Sequence, residues 1–467
     1  MKIKKLKITK QNIGHILAWV IIGVFFCFLC FYYGVGEYPD SATYMVNNID
    51  REPFYPLLLK GFRAVFGQEV YLKAVIVAQN VFAFLVTGYL YSYVTKYFAL
   101  NGLFSAGALA VLLMPHLLTG VFASSGIILT NAILSEGVTL SLYQMFFLLL
   151  LRMFLGKERQ GRYALFSWFT ALVAVFTRGQ MLVLLPIWMV VCIAGVCRKR
   201  GGAMRDRVIR ISLIVIMTAA VFMIRSAGIR AYNSVVFGHA QGNTGGNMTL
   251  LTNVLYSTDA EDVELAAREL DEAERTLLVK MDTEILEQHM SFADAGNGVQ
   301  NKILHHEDCH DKIKFNILYE YLQDFMEQKM PDADAEMIKS EMDALAARYM
   351  KAVLPKCIGN WLKTYCYVVL GGFIRTVAVI HPVLNWYALL IYIVAAALMC
   401  YLFRRAESRD GAWLMAVVLL MTAANVCATA LTIMCLSRYM IYNMALFYLA
   451  GLVCVWETVK GRGSKEG

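Results

Sequence analysis

Long apolar runs alternate with short charged segments along most of this chain. Ten runs approach the roughly 20 residues that a helix needs to cross about 30 Å of hydrocarbon. They lie near 13–34, 71–95, 101–121, 129–152, 163–177, 180–197, 209–228, 384–403, 412–434 and 440–457. The 163–197 region is the least regular, with two short halves and Arg178 between them. Two further apolar stretches, 53–67 and 358–380, carry interior charge at Lys60 and Arg63, then at Lys363 and Arg375. Counted as spans they break the alternation, so they predict interfacial helices that wall a groove. Residues 229–358 follow another rhythm, with helical periodicity at 259–290, 311–330 and 333–351. That stretch is long enough for a small domain, and the Gly-rich segment GHAQGNTGGN near its start reads as a loop. No internal repeat or low-complexity tract interrupts the pattern. The expected organisation is a membrane module over 1–228 with a first external loop at 35–70, a helical insertion over 229–358, and an interfacial helix with the last spans over 359–467.

Composition agrees. The chain is 58% hydrophobic and 17% charged, with a mean hydropathy of +0.54, which excludes an ordinary soluble domain. The fold class is an all-α polytopic membrane protein of about ten transmembrane helices. Lys and Arg set the expected orientation. Lys2, Lys4, Lys5, Lys7 and Lys10 precede the first run; Arg152, Lys157, Arg159 and Arg162 follow the fourth. Arg198, Lys199, Arg200, Arg205, Arg207 and Arg210 follow the sixth, Arg404, Arg405 and Arg409 the eighth, and Lys460, Arg462 and Lys465 end the chain. With ten spans all of these fall on one side. That side is then cytoplasmic, both termini lie there, and the first run is a retained anchor rather than a cleaved signal. The net charge of +8 fits this bias and anionic lipid, not nucleic acid. The opposite face collects acid: 23 of the 35 Asp and Glu residues lie within 229–358. Most of the 11 cysteines sit in spans as small apolar residues; Cys309 and Cys357 are external and form a candidate disulfide in an oxidising compartment.

Asp40, at the mouth of the first run, is the leading chemical candidate. A carboxylate there can take a proton from an acceptor hydroxyl; it can equally cap the helix that starts at Ser41. Glu37 is a second candidate acid. Glu136 lies two turns into the fourth run, where an ionisable group faces a protein interior or a water-filled cavity. Arg51, Arg178 and Arg438 lie at the same external level. Their guanidinium forks suit a phosphate, or lipid headgroups reached by snorkelling. His306 and His310 have the i,i+4 spacing of metal ligands, but the run from His305 to His310 reads as a charged external loop. There is no Walker A sequence, dinucleotide fingerprint or HExxH, so nucleotide-driven chemistry is not expected.

The stretch Asp40-Ser-Ala-Thr-Tyr44, followed by Arg51-Glu-Pro53 and Tyr55-Pro56-Leu-Leu-Leu59, resembles the GT-C integral-membrane glycosyltransferases. The likeness is to the branch with protein O-mannosyltransferases and bacterial lipid A aminoarabinose transferases. Leu134-Ser135-Glu136, Thr177-Arg178 and Arg438-Tyr439 extend it through nearly all of the membrane portion; the 229–358 insertion matches nothing in that family. The resemblance implies an external site that uses a polyprenyl-phosphate sugar without nucleotide and passes the sugar, with inversion, to a lipid, glycan or protein acceptor. Asp40 would be the base, Glu136 a second acid lining the site, and Arg178 and Arg438 the holders of the lipid phosphate. Arg51, Tyr44, Tyr55 and Tyr439 would line the substrates. The paired acids often seen in the family's first loop are here a single Asp40 with Glu37 three residues earlier, so the base and a divalent metal both stay open. By elimination the insertion shapes acceptor choice. Two rivals remain: a polyprenyl-linked polysaccharide polymerase or ligase, and a lipid-linked saccharide transporter, which predicts paired halves with helices broken at mid-membrane.

Overall fold

The computed structural model describes residues 10–122, 126–156, 159–198, 203–405 and 409–463. Lys2, Lys4, Lys5, Lys7, Lys157, Lys199, Arg200 and Lys465 lie outside them. The first half runs α1 (Lys10–Tyr33), the short α2 (Ser41–Met45), α3 (Phe54–Phe66), α4 (Tyr71–Tyr97), α5 (Gly102–Phe122), α6 (Glu136–Leu155), α7 (Gln160–Thr177), α8 (Leu184–Arg198) and α9 (Met204–Phe237). The insertion holds α10 (Gly246–Leu255), α11 (Ala260–Ala267), α12 (Glu272–Glu287), α13 (Val299–Lys312), a π-helical segment Ile313–Tyr319 and α14 (Glu320–Lys329). Then come α15 (Ala335–Val377), α16 (Pro382–Arg404), α17 (Arg409–Thr432) and α18 (Ser437–Gly463). Among the described residues the only strand-like pairing is one parallel bridge, Gly36 to Ala132.

Nine of these helices are long and apolar enough to cross a membrane, so the protein is a multi-pass membrane protein. The expected run at 163–177 is not among the nine; Gln160, Arg162, Ser167 and Thr170 dilute the apolar character of α7. Its packing nevertheless carries it back along α6 from end to end. Arg152 stacks on Tyr163 at 5.4 Å near one end, and Arg178 pairs with Glu136 at 2.8 Å at the other.

Helix α6 is the hub of the membrane portion, buried along most of its length, while α9 and α16 turn mostly apolar surface outward. One end of the bundle is tied by polar contacts. Tyr97 donates to Leu155 O at 3.2 Å and to Asp410 at 2.7 Å, and Arg198 donates to Asp410 at 2.8 Å. The site lies at the other end.

The insertion has its own core, in which Leu251, Leu278, Ile285, Ile313, Leu345 and Tyr349 are buried together. Three of its helices start where Asp caps them: Asp259 in a capping box with Asp262, Asp271 on Glu274 N and Asp334 on Met337 N. Four expectations change here. The expected boundaries at 228 and 358 fall inside α9 and α15, because each helix continues past its apolar window without a break in backbone bonding. The interfacial helix expected at 358–380 is the second half of the 43-residue α15. The stretch from His305 to His310 is helical, not a loop: Ile303, His306, Cys309 and His310 bury one face of α13. Cys309 and Cys357 are both buried with free thiols rather than bridged, and the other nine cysteines are also free.

Candidate active site

The site is mounted on a splice between two non-helical segments. Asn131, in the 3-10 turn Leu129–Asn131, donates to Leu29 O at 2.8 Å and Gly34 O at 2.7 Å. It thereby ties the last turn of α1 and the residue just after it to this segment. Gly36 N donates to Asn131 O and Ile133 N to Gly36 O, both at 2.9 Å. Gln79 of α4 donates to Thr130 O and Ala132 O from below. These bonds use residues 129–133 as a plug, so the apolar run expected to be α-helical from 129 starts its α-helix only at Glu136. Glu136 is therefore in the first turn of α6, where the helix dipole favours a carboxylate, and not two turns into a span.

Asp40 occupies the N-cap position of α2 but makes no capping bond. Its Oδ1 instead accepts from Arg51 Nη2 at 2.9 Å, and its Oδ2 lies 3.9 Å from Arg438. Arg51 is held in turn: its Nε donates to Thr43 Oγ1 at 2.8 Å and its guanidinium lies 4.7 Å over the Tyr44 ring. The Asp40 side chain is 45% exposed, whereas that of Glu136 is 4% exposed. Glu136 is closed off by Arg178, which also donates to Ser135 Oγ at 3.2 Å and to Gln180 at 3.0 Å. Tyr439 lies between Arg178 and Arg438, whose guanidinium carbons are 4.7 and 4.9 Å from its ring.

The structure thus gathers Asp40, Arg51, Tyr44, Glu136, Arg178, Arg438 and Tyr439. It corrects the part given to three tyrosines. Tyr44, Tyr55 and Tyr439 are buried, so they support other groups rather than line an open substrate site. Tyr44 exchanges a hydrogen bond with Ser135 at 3.0 Å, and Tyr55 donates to Gln79 at 2.9 Å. Glu37 is exposed and, among the described residues, makes no hydrogen bond or ion pair. Of the two acids in the first loop, the one beside the arginines is Asp40.

Sequence reasoning missed several members. Glu52 pairs with Arg225 of α9, beside Gly179, and ties the first loop to the membrane helices. Burial pushes the Glu52 carboxyl up, against the pull of Arg225. Lys314 approaches Asp40 and Arg51 from the insertion, close enough to act on them electrostatically. A cleft beside the cluster, of about 430 Å³, runs between α5, the end of α15, α16 and α18. Leu118, Ile441, Met444 and Ala445 make it apolar, and Thr119, Arg375, Tyr387, Ser437 and Tyr448 supply its polar atoms. Helix α3, expected to wall such a groove, does not line it.

The donors do not suit a resident divalent cation. Both Asp40 oxygens face arginines, Glu136 is neutralised by Arg178, and no group of three His, Cys, Asp or Glu side chains gathers among the described residues. His306 Nε2 bonds to Asn253 at 3.0 Å and His310 Nδ1 to Asp311 at 3.2 Å, so each of the helical pair singled out as candidate ligands already has one partner.

No protein-family model matches the chain, and no curated protein matches it. Among solved structures the chain is similar to the crystal structure of ArnT from Cupriavidus metallidurans in the apo state. The identity is 13% and the TM-score 0.32, over 95% of this chain and 78% of that one. A likeness that loose transfers no chemistry, and the site's own geometry has to carry the reading.

Proposed function

We propose that the protein is an integral-membrane glycosyltransferase of the GT-C kind. It moves a sugar from a polyprenyl-phosphate donor to a hydroxyl of a lipid, glycan or protein acceptor. The observation that carries this reading is the unequal state of the two carboxylates: Asp40 is open to an incoming group while Glu136 is sealed against Arg178. Asp40 is then the base and Glu136 a positioning residue that fixes Arg178.

In the reaction, Asp40 takes the acceptor's proton as its oxygen bonds to the anomeric carbon. The bond from that carbon to the phosphate oxygen breaks, and the lipid phosphate leaves with the electron pair. Arg438, held by Tyr439 and only loosely paired with Asp40, is placed to meet the charge that develops on the leaving phosphate. One displacement inverts the anomeric configuration. The apolar cleft beside Ser437 suits the first units of a polyprenyl tail. The site end of the bundle is read as extracytoplasmic, because Arg152, Arg198 and Arg404 belong to the opposite end. Counting α7 as a crossing makes ten and returns both termini to the basic side.

The test is transfer in membranes from a panel of labelled polyprenyl-phosphate sugars, with wild type beside Asp40→Asn and Arg438→Ala. Wild type should consume one donor. Asp40→Asn should lose about 10²- to 10⁴-fold in turnover, the range for a missing general base, with unchanged folding. Arg438→Ala should mainly raise the apparent KM for the donor. Full turnover in Asp40→Asn would remove it from the mechanism; silence of folded wild type across the panel would favour the polymerase, ligase or transporter alternatives.

A further inference from the structure

The insertion lays one helical face over the membrane site. Glu307, Asp311 and Lys314 recur at intervals of four and three, which puts them on one side of a helix. Each meets a different cation or acid of the membrane portion. Glu307 pairs with Arg375, at the cleft that adjoins Ser437. Asp311 faces Arg438 closely enough that, against its own burial, it is held below the usual carboxylate range by His310, Lys314 and Arg438. Lys314 lies within electrostatic reach of Asp311, Asp50, Arg51 and Asp40.

The chain departs from α-helical geometry at this point. The π-helical segment Ile313–Tyr319 begins one residue before Lys314, and single-turn π segments are frequent at functional sites. Ile313, Ile317 and Leu318 are buried in the insertion's core, so the segment is anchored from behind. Lys314 is half-buried, and among the described residues no hydrogen bond or ion pair holds its ammonium, which lies 5.1 Å from the Phe315 ring. By contrast Arg51 and Arg178 are each paired at under 3 Å, and Arg438 lies 3.9 Å from its nearest acid. Lys314 and Arg438 are therefore the two site cations left without a close counter-ion. Burial pushes the Lys314 ammonium down from its ordinary value, the condition that a bound anion would relieve.

We propose that Lys314 is a substrate-contacting residue supplied by the insertion, and that it binds the phosphate of the lipid-linked donor opposite Arg438. This rests on the function proposed above. It gives the insertion a share in donor recognition in addition to acceptor choice, because the donor phosphate would be bound only when the segment that follows α13 is seated on the membrane portion.

Binding can be read without turnover. Full-length protein in detergent is titrated with polyprenyl phosphate and, separately, with the uncharged polyprenol, and thermal stabilisation is followed. Wild type should respond to the phosphate well beyond the alcohol. Lys314→Gln should weaken phosphate binding roughly tenfold to a hundredfold, the range for losing a charge-assisted hydrogen bond. Lys314→Arg should recover part of it, and Lys312→Gln, which loses only an exposed pair with Asp308, should change nothing. Equal phosphate responses in folded Lys314→Gln and wild type would overturn the assignment and leave the proposed function standing. So would a rise in acceptor KM with phosphate binding intact. No preference of wild type for phosphate over alcohol would instead sink the donor reading itself. Should Lys314→Gln fail to fold, Lys314→Arg carries the test: phosphate binding that no longer weakens as the pH rises toward 10 supports the contact, and an unaltered pH profile refutes it.

Discussion

The ion pair between Glu136 and Arg178 is the most buried in the site, with side chains 4% and 17% exposed. At their 2.8 Å separation and an effective dielectric constant of about 20, the attraction is about 6 kcal/mol. Withdrawing two charges from water costs several kcal/mol for each, so the intact pair adds little net stability. Breaking it is another matter, because one charge then stays buried without a partner. Glu136→Gln preserves shape and the neighbouring Ser135, and it should cost about 3–5 kcal/mol. Arg178→Gln should cost a similar amount, including about 0.5–2 kcal/mol from the lost stacking on Tyr439. The double variant buries no charge. It should therefore be more stable than the sum of the single losses by about 2 kcal/mol or more. Unfolding in mixed micelles of graded denaturing detergent measures all four corners of the cycle. Additivity within about 0.5 kcal/mol, the scatter for independent sites, would refute the idea that the pair is a buried, mutually compensating unit.

Two other outcomes are expected. Gly137→Ala would bring a Cβ within 2.7 Å of Gln79 Nε2 and displace it from Thr130 O and Ala132 O; a loss of about 1–3 kcal/mol, with lowered activity, should appear in melting and transfer assays. Asp282, in α12, is pushed up to about 6 by burial, with its Thr258 hydrogen bond opposing. A raised folded-state value means that its stabilising contribution is complete below pH 4 and is lost as pH rises through about 6, a change of about 3 kcal/mol. Asp282→Asn should flatten that part of the stability–pH curve and raise stability at pH 7; a curve that keeps its slope would show that Asp282 is not the titrating group.

The membrane architecture was legible because hydropathy and length report spans directly, and Asp40, Arg51, Arg178 and Arg438 stood out as charges at span ends. What stayed hidden has particular causes. Hydropathy falls at the membrane surface, but helix bonding does not, so α9 and α15 ran past their expected ends. The α13 sequence is rich in His, Asp and Glu, which reads as solvated until tertiary packing buries one face. The run from Leu129 looks like continuous helix, yet Asn131 finds better partners in the carbonyls of α1 than in its own turn. Lys314 carried no signal because a lysine in an acidic helical domain is ordinarily a surface charge. Its meaning comes from a neighbour almost three hundred positions away.

The bonds from Asn131 to the end of α1, and the short bridge beyond it, have a consequence for how the protein meets different membranes. Bilayers vary in thickness, and a helix answers by tilting. Helix α1, with much of its surface turned outward, is well placed to do so. Its upper end, however, is stitched to the segment that opens α6, and Asp40 lies a few residues beyond that seam. A lean of α1 would carry Asp40 and Glu136 together, as two instruments on one bracket. Lipid chain length would then alter the tilt of α1, while the spacing between the two carboxyl groups stays fixed.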